Sequence, residues 1–426
     1  MTTESSAIRI PKRSVSRQAL ANGTTLLYTP NPFNKIVAIR ILSRLASRHE
    51  DAEKAGMANL CMRMLSAGTE KHSEEEIAAN LERNGAHFKA EAGKDCSAVD
   101  LLTTTDFLEE DLNTVLELMD CPTFPEDKLT REREIVRMNI LEQDDSRMQY
   151  TMRIFRKKYY GSHSYSWPSI GLVETLDNIK RDDLTSFAHR VFDPSNLVVS
   201  VVGGAENSDI PKIINDVFTA RSSRKTGGIP DSAPLSLPIK ENTEIIEYRD
   251  SEAEYLVLGY PGCGLHEKET IPLRIISAIL GGSMDSRLFR EIRDKRGLCY
   301  QVGASFSPQR EHSPLIAYAV TSPQNRAELV SCTETEIEKI KIEPVSDEEL
   351  NRVKTYVCGT YVMSLESNMG QASCYASYEI SGLGWDFANH YPEKIYAVTP
   401  EQISKTAQKL FTHRLLTITA PSGEEE

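Results

Sequence analysis

The sequence has little of what marks a metal centre, a membrane span or a nucleic-acid surface. Its nine histidines, His49, His72, His87, His163, His189, His266, His312, His390 and His413, are well separated, and none forms a His-x-His or His-x-x-x-His pair. Its eight cysteines, Cys61, Cys96, Cys121, Cys263, Cys299, Cys332, Cys358 and Cys374, contain no Cys-x-x-Cys, and several sit inside apolar segments, so they read as reduced, buried small hydrophobes. Charges or turn residues interrupt every apolar stretch well short of the ~20 residues that span a bilayer. Met1 to Arg17 is polar and mixed in charge, without the apolar run of a secretory signal. The expectation is a soluble, cytoplasmic chain with no membrane partner. Asp and Glu number 62 against 49 Lys and Arg, giving a formal net charge of -13. A nucleic-acid partner would need a basic face that this balance does not suggest, so none is expected. Gly281-Gly282-Ser283 lacks the lysine and the spacing of a phosphate-binding loop and reads as a turn after a helix.

What is present is an ordinary globular composition, 40% hydrophobic and 26% charged over 426 residues, too long for one simple core. Two units of about 200 residues follow as the prior. Ile36 to Leu42 reads as a strand, and Gly56 to Leu65 as a helix apolar on nearly every side, hence buried. Ser73 with Glu74, Glu75 and Glu76 caps a helix that runs to Arg83, where Asn84-Gly85 stops it before a strand from His87 to Glu91. Asp111 to Met119, Glu126 to Gln143 and Asp182 to Val191 are amphipathic helices, the last leading into the β-branched strand Leu197 to Val202. Between Arg221 and Pro238 the composition turns to Ser, Gly and Pro and reads as a linker. The order then repeats: strand Tyr255 to Tyr260, helix Ile271 to Leu280, helix Ser286 to Asp294, strands Cys299 to Phe306 and Leu315 to Val320, helices around Arg326 to Ile340 and Ser346 to Glu366. A helix from Thr399 through Phe411 runs into the strand Leu415 to Thr419, as the Asp182 helix runs into Leu197 to Val202. Recurrence at a displacement of roughly 210 residues indicates duplication. The expected fold is α+β: two homologous domains, 1–220 and 241–426 joined by a 221–240 linker, each a mostly antiparallel sheet covered by helices.

Two blocks carry a family resemblance. The first is Ala46-Ser47-Arg48-His49-Glu50 followed by Gly56-Met57-Ala58-Asn59-Leu60-Cys61-Met62-Arg63-Met64-Leu65-Ser66-Ala67-Gly68-Thr69. It resembles the first-domain signature of the pitrilysin-type (M16) zinc peptidases, especially the processing-peptidase-like branch, Gly-Ser-Arg-x-Glu and then Gly-x-Ala-His-Phe-Leu-Glu-His-Met-Leu-Phe-x-Gly-Thr. In those enzymes an inverted His-x-x-Glu-His motif sets two zinc ligands four residues apart on one helix face, beside the general base. By that resemblance the first histidine falls on Asn59, the base on Met62 and the second histidine on Arg63. The third ligand, a glutamate in a helix beginning Glu-Arg, falls on Asn139 within Glu132 to Asn139. Amides are weak donors to a metal, a thioether cannot take a proton from water, and Arg63 places a permanent positive charge where the metal would sit. No metal or other cofactor is expected in this chain. Glu132, Glu134 and Glu142 read as a surface acidic face rather than as catalytic groups.

The second block is Ser286-Arg287-Leu288-Phe289-Arg290-Glu291-Ile292-Arg293-Asp294-Lys295-Arg296-Gly297-Leu298-Cys299-Tyr300-Gln301-Val302. It looks like the second-domain signature of the same peptidases, whose arginine and tyrosine act on the substrate. Matched by motif, these are Arg293 and Tyr300. A guanidinium offers several directed donors to a substrate carbonyl, and a phenol can donate to a developing oxyanion. Read without the family frame, Arg293 pairs with Glu291 or Asp294 on a solvated helix and Tyr300 is a core aromatic. The resemblance covers about residues 20 to 420 and implies a chain inactive alone, the non-zinc subunit of a heterodimeric endopeptidase. Its zinc-bearing partner would carry His-x-x-Glu-His and hold the zinc, and the substrate would be an unfolded peptide. The alternative is a non-catalytic scaffold or peptide-binding protein like the core proteins of respiratory complexes.

Overall fold

A computed structural model describes residues 13–205, 208–221, 229, 235 and 240–422. The 221–240 linker read from composition therefore lies, apart from 221, 229, 235 and 240, outside the described residues. The first half contains β1 (Ser16–Ala19), β2 (Thr25–Thr29), β3 (Ile36–Ser43), α1 (Met57–Arg63), α2 (Glu74–Arg83), β4 (His87–Ala92), β5 (Ser97–Thr104), α3 (Leu108–Asp120), α4 (Glu126–Asp145), α5 (Arg147–Tyr160), α6 (Val173–Leu176), α7 (Arg181–Val191), β6 (Leu197–Val202) and α8 (Ile210–Thr219). The second contains β7 (Thr243–Arg249), β8 (Glu254–Cys263), α9 (Thr270–Gly281), β9 (Cys299–Ser305), β10 (Ser313–Thr321), α10 (Arg326–Ile342), α11 (Asp347–Ser364), α12 (Asn368–Ser381), α13 (Phe387–Tyr396), α14 (Pro400–Leu410) and β11 (Leu415–Pro421). Among the described residues no helix is long and apolar enough to cross a membrane.

The duplication is visible strand by strand. One sheet runs β1-β2-β6-β3-β5-β4 and the other β7-β11-β8-β10-β9, so the second repeats the first without β1. The parallel pair occupies the same place in both, β2 with β6 and β7 with β11, and the remaining pairs are antiparallel. Each half is thus the expected sheet with helices on it.

Strand alternation explains how the halves are joined. Ile39, Ile41, Val199 and Val201 point into the large core under the first half's own helices. Their neighbours Leu42 and Val198 point the other way, with Leu27 and Ala98, and pack on Tyr375, Ala376 and Ile380 of α12, a helix of the second half. The second sheet does the reverse: Leu256, Leu258, Leu416 and Ile418 face its own helices, while Val257 and Leu415 meet Phe155 and Tyr159 of α5, a helix of the first half. Helices therefore cover both faces of each sheet, where one covered face was expected. This is why β6 reads Leu-Val-Val-Ser-Val-Val with no polar alternation: a strand buried on both faces is apolar throughout. Phe155 sits directly on the backbone of β8, and a methyl at Gly259 would overlap its ring.

Because Phe155 is fully buried against the other half's sheet, Phe155→Ala should lower unfolding free energy by ~3–5 kcal/mol. Urea denaturation followed by circular dichroism measures this, and a loss below ~1 kcal/mol would show that the α5 contact adds little to the core.

Candidate functional site

The helix that carries the degenerate zinc positions is held by buried polar groups. Its N-cap, Gly56, has φ of +99°, a left-handed conformation favouring glycine, and a methyl there would strike the backbone of Gly171. The first backbone N–H groups of α1 have no helical partner of their own. The buried Glu50 carboxylate fills that need, accepting from Gly56 N–H at 3.0 Å and Ala58 N–H at 2.6 Å. Ser47 donates its hydroxyl to the Gly93 carbonyl at 2.9 Å. Arg48 reaches Asp95 at 3.8 Å and, from the other half, Glu311 at 3.5 Å. Glu311 also lies 3.2 Å from His163 Nε2. Ser47, Arg48, Glu50 and Gly56, which carried the first resemblance, thus have structural duties independent of any metal.

The face of α1 that would bind zinc has a different content. Asn59 and Arg63, one turn apart, share a face. The half-buried Asn59 has no hydrogen-bond partner for its Nδ2 among the described residues. Met62 turns into the core, 2% exposed, where a general base would need access to water. Arg63 forms an ion pair with Glu132 of α4, so a guanidinium, already neutralised by a carboxylate, lies between the two helices that would supply the ligands. Asn139 is half-buried on the same helix. These residues do not fit a divalent cation: the donors are amides, a thioether and a cation. Among the described residues no group of three His, Cys, Asp or Glu could hold a metal ion. The reading of Glu132 as part of an acidic surface is corrected here. Glu134 and Glu142 are exposed, but Glu132 turns toward Arg63, a pairing across 69 positions that helix periodicity could not reveal.

The second block is arranged otherwise. The expected α-helix from Ser286 to Asp294 is a π-helical turn over Phe289–Asp294, marked by Lys295 N–H donating to the Arg290 carbonyl five residues back. Such turns add a residue to the helix circuit and re-aim side chains. The Arg293 guanidinium lies 4.8 Å from the Phe289 ring centroid and 5.7 Å from that of Tyr300 at the start of β9. The structure thus brings Arg293 and Tyr300 together. Tyr300 is 83% exposed, so it is not a core aromatic. Glu291 pairs with Lys295 instead of Arg293. Along this segment Arg287 pairs with Glu349, Arg290 with Asp285 and Arg296 with Glu328. Arg293 makes no ion pair among the described residues. Phe289 is the member of this group that the residue pattern did not single out; its place four residues before Arg293 on one helical face was the available signal.

Two sheet-and-helix halves, one with Asn59, Arg63 and Asn139 at the positions where the resemblance puts zinc ligands and one with an exposed arginine and tyrosine, define a peptidase-type fold with no metal-holding group among the described residues. Residues 25–166 match the family described as Insulinase (Peptidase family M16), and residues 178–357 match Peptidase M16 inactive domain. The chain belongs to peptidase family M16. An uncharacterized zinc protease of Bacillus subtilis, YmxG, is 26% identical over 410 residues, covering 96% of this chain and 99% of that protein. One from Rickettsia felis is 27% identical over 407 residues, covering 94% and 96%. The crystal structure of a peptidase M16 inactive domain from Pseudomonas fluorescens superimposes with a TM-score of 0.87 at 23% identity, covering 97% of this chain and 99% of that one. A protease from Helicobacter pylori gives 0.86 at 20%, covering 96% and 100%.

Burial raises the Glu50 carboxyl from its ordinary 4.5 to about 7, outweighing its two N–H donors and the nearby Lys94. The folded chain then binds this proton more tightly than the unfolded one. The resulting stabilisation is fully present below pH 4.5 and is lost as pH rises through about 7. Urea denaturation of the natural chain against Glu50→Gln should therefore show the difference in stability moving against the natural chain across that window. A difference independent of pH would contradict this protonation.

Proposed function

We propose that this chain is the non-zinc subunit of a heterodimeric M16 peptidase and that it presents Arg293 and Tyr300 to a peptide cleaved at a partner's zinc centre. The observation that carries the reading is that Arg293, among neighbours that are paired, makes no ion pair among the described residues. A guanidinium held over two rings, with no carboxylate to neutralise it, keeps its donors available for a substrate carbonyl. The exposed Tyr300 hydroxyl can donate to oxygen as it gains negative charge during carbonyl addition. Neither group activates water, and Asn59, Met62, Arg63 and Asn139 offer no replacement, so the hydrolytic step belongs to the partner, a subunit with His-x-x-Glu-His.

The substrate is read as an unfolded peptide. Tyr300 lies on β9, the terminal strand of its sheet, and an extended chain is the form that can lie along a strand edge and present its carbonyls in sequence. A folded protein keeps those carbonyls in its own hydrogen bonds. A purely scaffolding chain would need neither an accessible Tyr300 nor an unneutralised Arg293.

Mixing the chain with its zinc-bearing partner should give peptide cleavage that neither shows alone. Tyr300→Phe should reduce kcat/KM by about 100-fold, the order seen on losing one oxyanion donor, and Arg293→Ala should chiefly raise KM. Steady-state cleavage of a quenched fluorescent peptide measures both. Natural rates in both variants would contradict the assigned roles and favour the scaffold.

A further inference from the structure

A concavity of about 300 Å³ lies where the N-terminal end of α9 meets α12 and α13. Its walls are aromatic: Tyr378 and Phe387 lie 4.8 Å apart by ring centroids, and Phe387 and Tyr391 lie 6.3 Å apart. Its rim is cationic. The Lys394 ammonium is 5.4 Å from the Phe387 ring centroid, and the Arg274 guanidinium is 5.9 Å from that of Tyr391. Lys268 also borders it.

The charge balance is the telling feature. In a chain of net charge -13, none of these three cations makes an ion pair among the described residues. The carboxylate that lines the same concavity, Glu267, is engaged by the Gly264 N–H at 2.7 Å. His266 is likewise engaged, its Nε2 lying 2.8 Å from the Ser381 carbonyl oxygen. Cations held over aromatic faces beside one engaged carboxylate leave a local positive potential above an apolar floor. Small-molecule sites combine these features: mostly aromatic or apolar walls with a few charged groups that fix orientation.

We propose that this pocket binds a small aromatic anion, its ring against Phe387 and Tyr391 and its anionic group toward Lys394 and Arg274. Stacking supplies contact area, and the two cations supply charge-assisted hydrogen bonds. The site is independent of the Arg293 and Tyr300 reading. It sits at the opening turn of α9, a helix roughly 18 Å long, whose last residue, Gly281, abuts β9 at the other end.

The test is a fluorescence titration of the full chain with anilinonaphthalene sulfonate, an aromatic anion whose emission rises on leaving water. Saturable binding of one equivalent is expected. Lys394→Glu, at an exposed position where folding is not at stake, should weaken it by about tenfold, as reversal of one contacting charge implies. Uncharged phenylnaphthylamine should bind about tenfold more weakly than the sulfonate. Unchanged affinity in both Lys394→Glu and the double variant Lys268→Glu/Lys394→Glu, or equal affinity for the uncharged analogue, would overturn the proposal.

Discussion

The pairing of Arg63 with Glu132 across α1 and α4 decides what the first half can do. A guanidinium carries its charge at every accessible pH, and here it stands where a divalent cation would need a neutral imidazole. The carboxylate that reaches this face from α4 is spent on neutralising it. As a source of stability the pair is minor, since partly exposed ion pairs contribute ~0–1 kcal/mol. Its weight lies in occupancy: with Met62 in the core and amides at positions 59 and 139, the one carboxylate on this face is held by Arg63, and the described residues offer no group that could hold a metal ion.

The helix nevertheless keeps its place because other forces hold it there. Glu50 satisfies its opening N–H groups, Gly56 permits its backbone to touch Gly171, and Arg48 ties the preceding turn to Glu311 of the other half. The frame is a packing and hydrogen-bonding device, so it can outlast the chemistry once mounted on it. The exchange of α5 and α12 between the sheets adds a further constraint. Each half buries one sheet face with the other's helix, which makes the relative position of the first-half frame and the Arg293 turn part of the fold.

Much of this could be read from residues. The apolar helix after Gly56 and the recurrence of helix-then-strand near each half's end are local or periodic signals, while the mismatch at Asn59, Met62, Arg63 and Asn139 is legible only through the resemblance of the first block to the M16 signature. What could not be read depends on distant contacts. The segments that form α5 and α12 were not singled out. An apolar helix face states that something covers it, never which sheet does. The mostly buried strand β5 hides its alternation because Asp100 pairs with Arg40 at 2.9 Å within the sheet. The π-turn at Phe289–Asp294 has a residue pattern compatible with an α-helix, and only the hydrogen bonds distinguish the two. Glu132 appeared as one acid among several until Arg63 was found beside it.

Everything assigned to the two halves requires that this chain cannot grip zinc by itself. Metal analysis of the purified lone polypeptide after dialysis against zinc tests that directly. No stoichiometric zinc and no peptide cleavage should remain. One tightly held zinc at residues 59, 63 and 139, with cleavage abolished by a chelator, would contradict it.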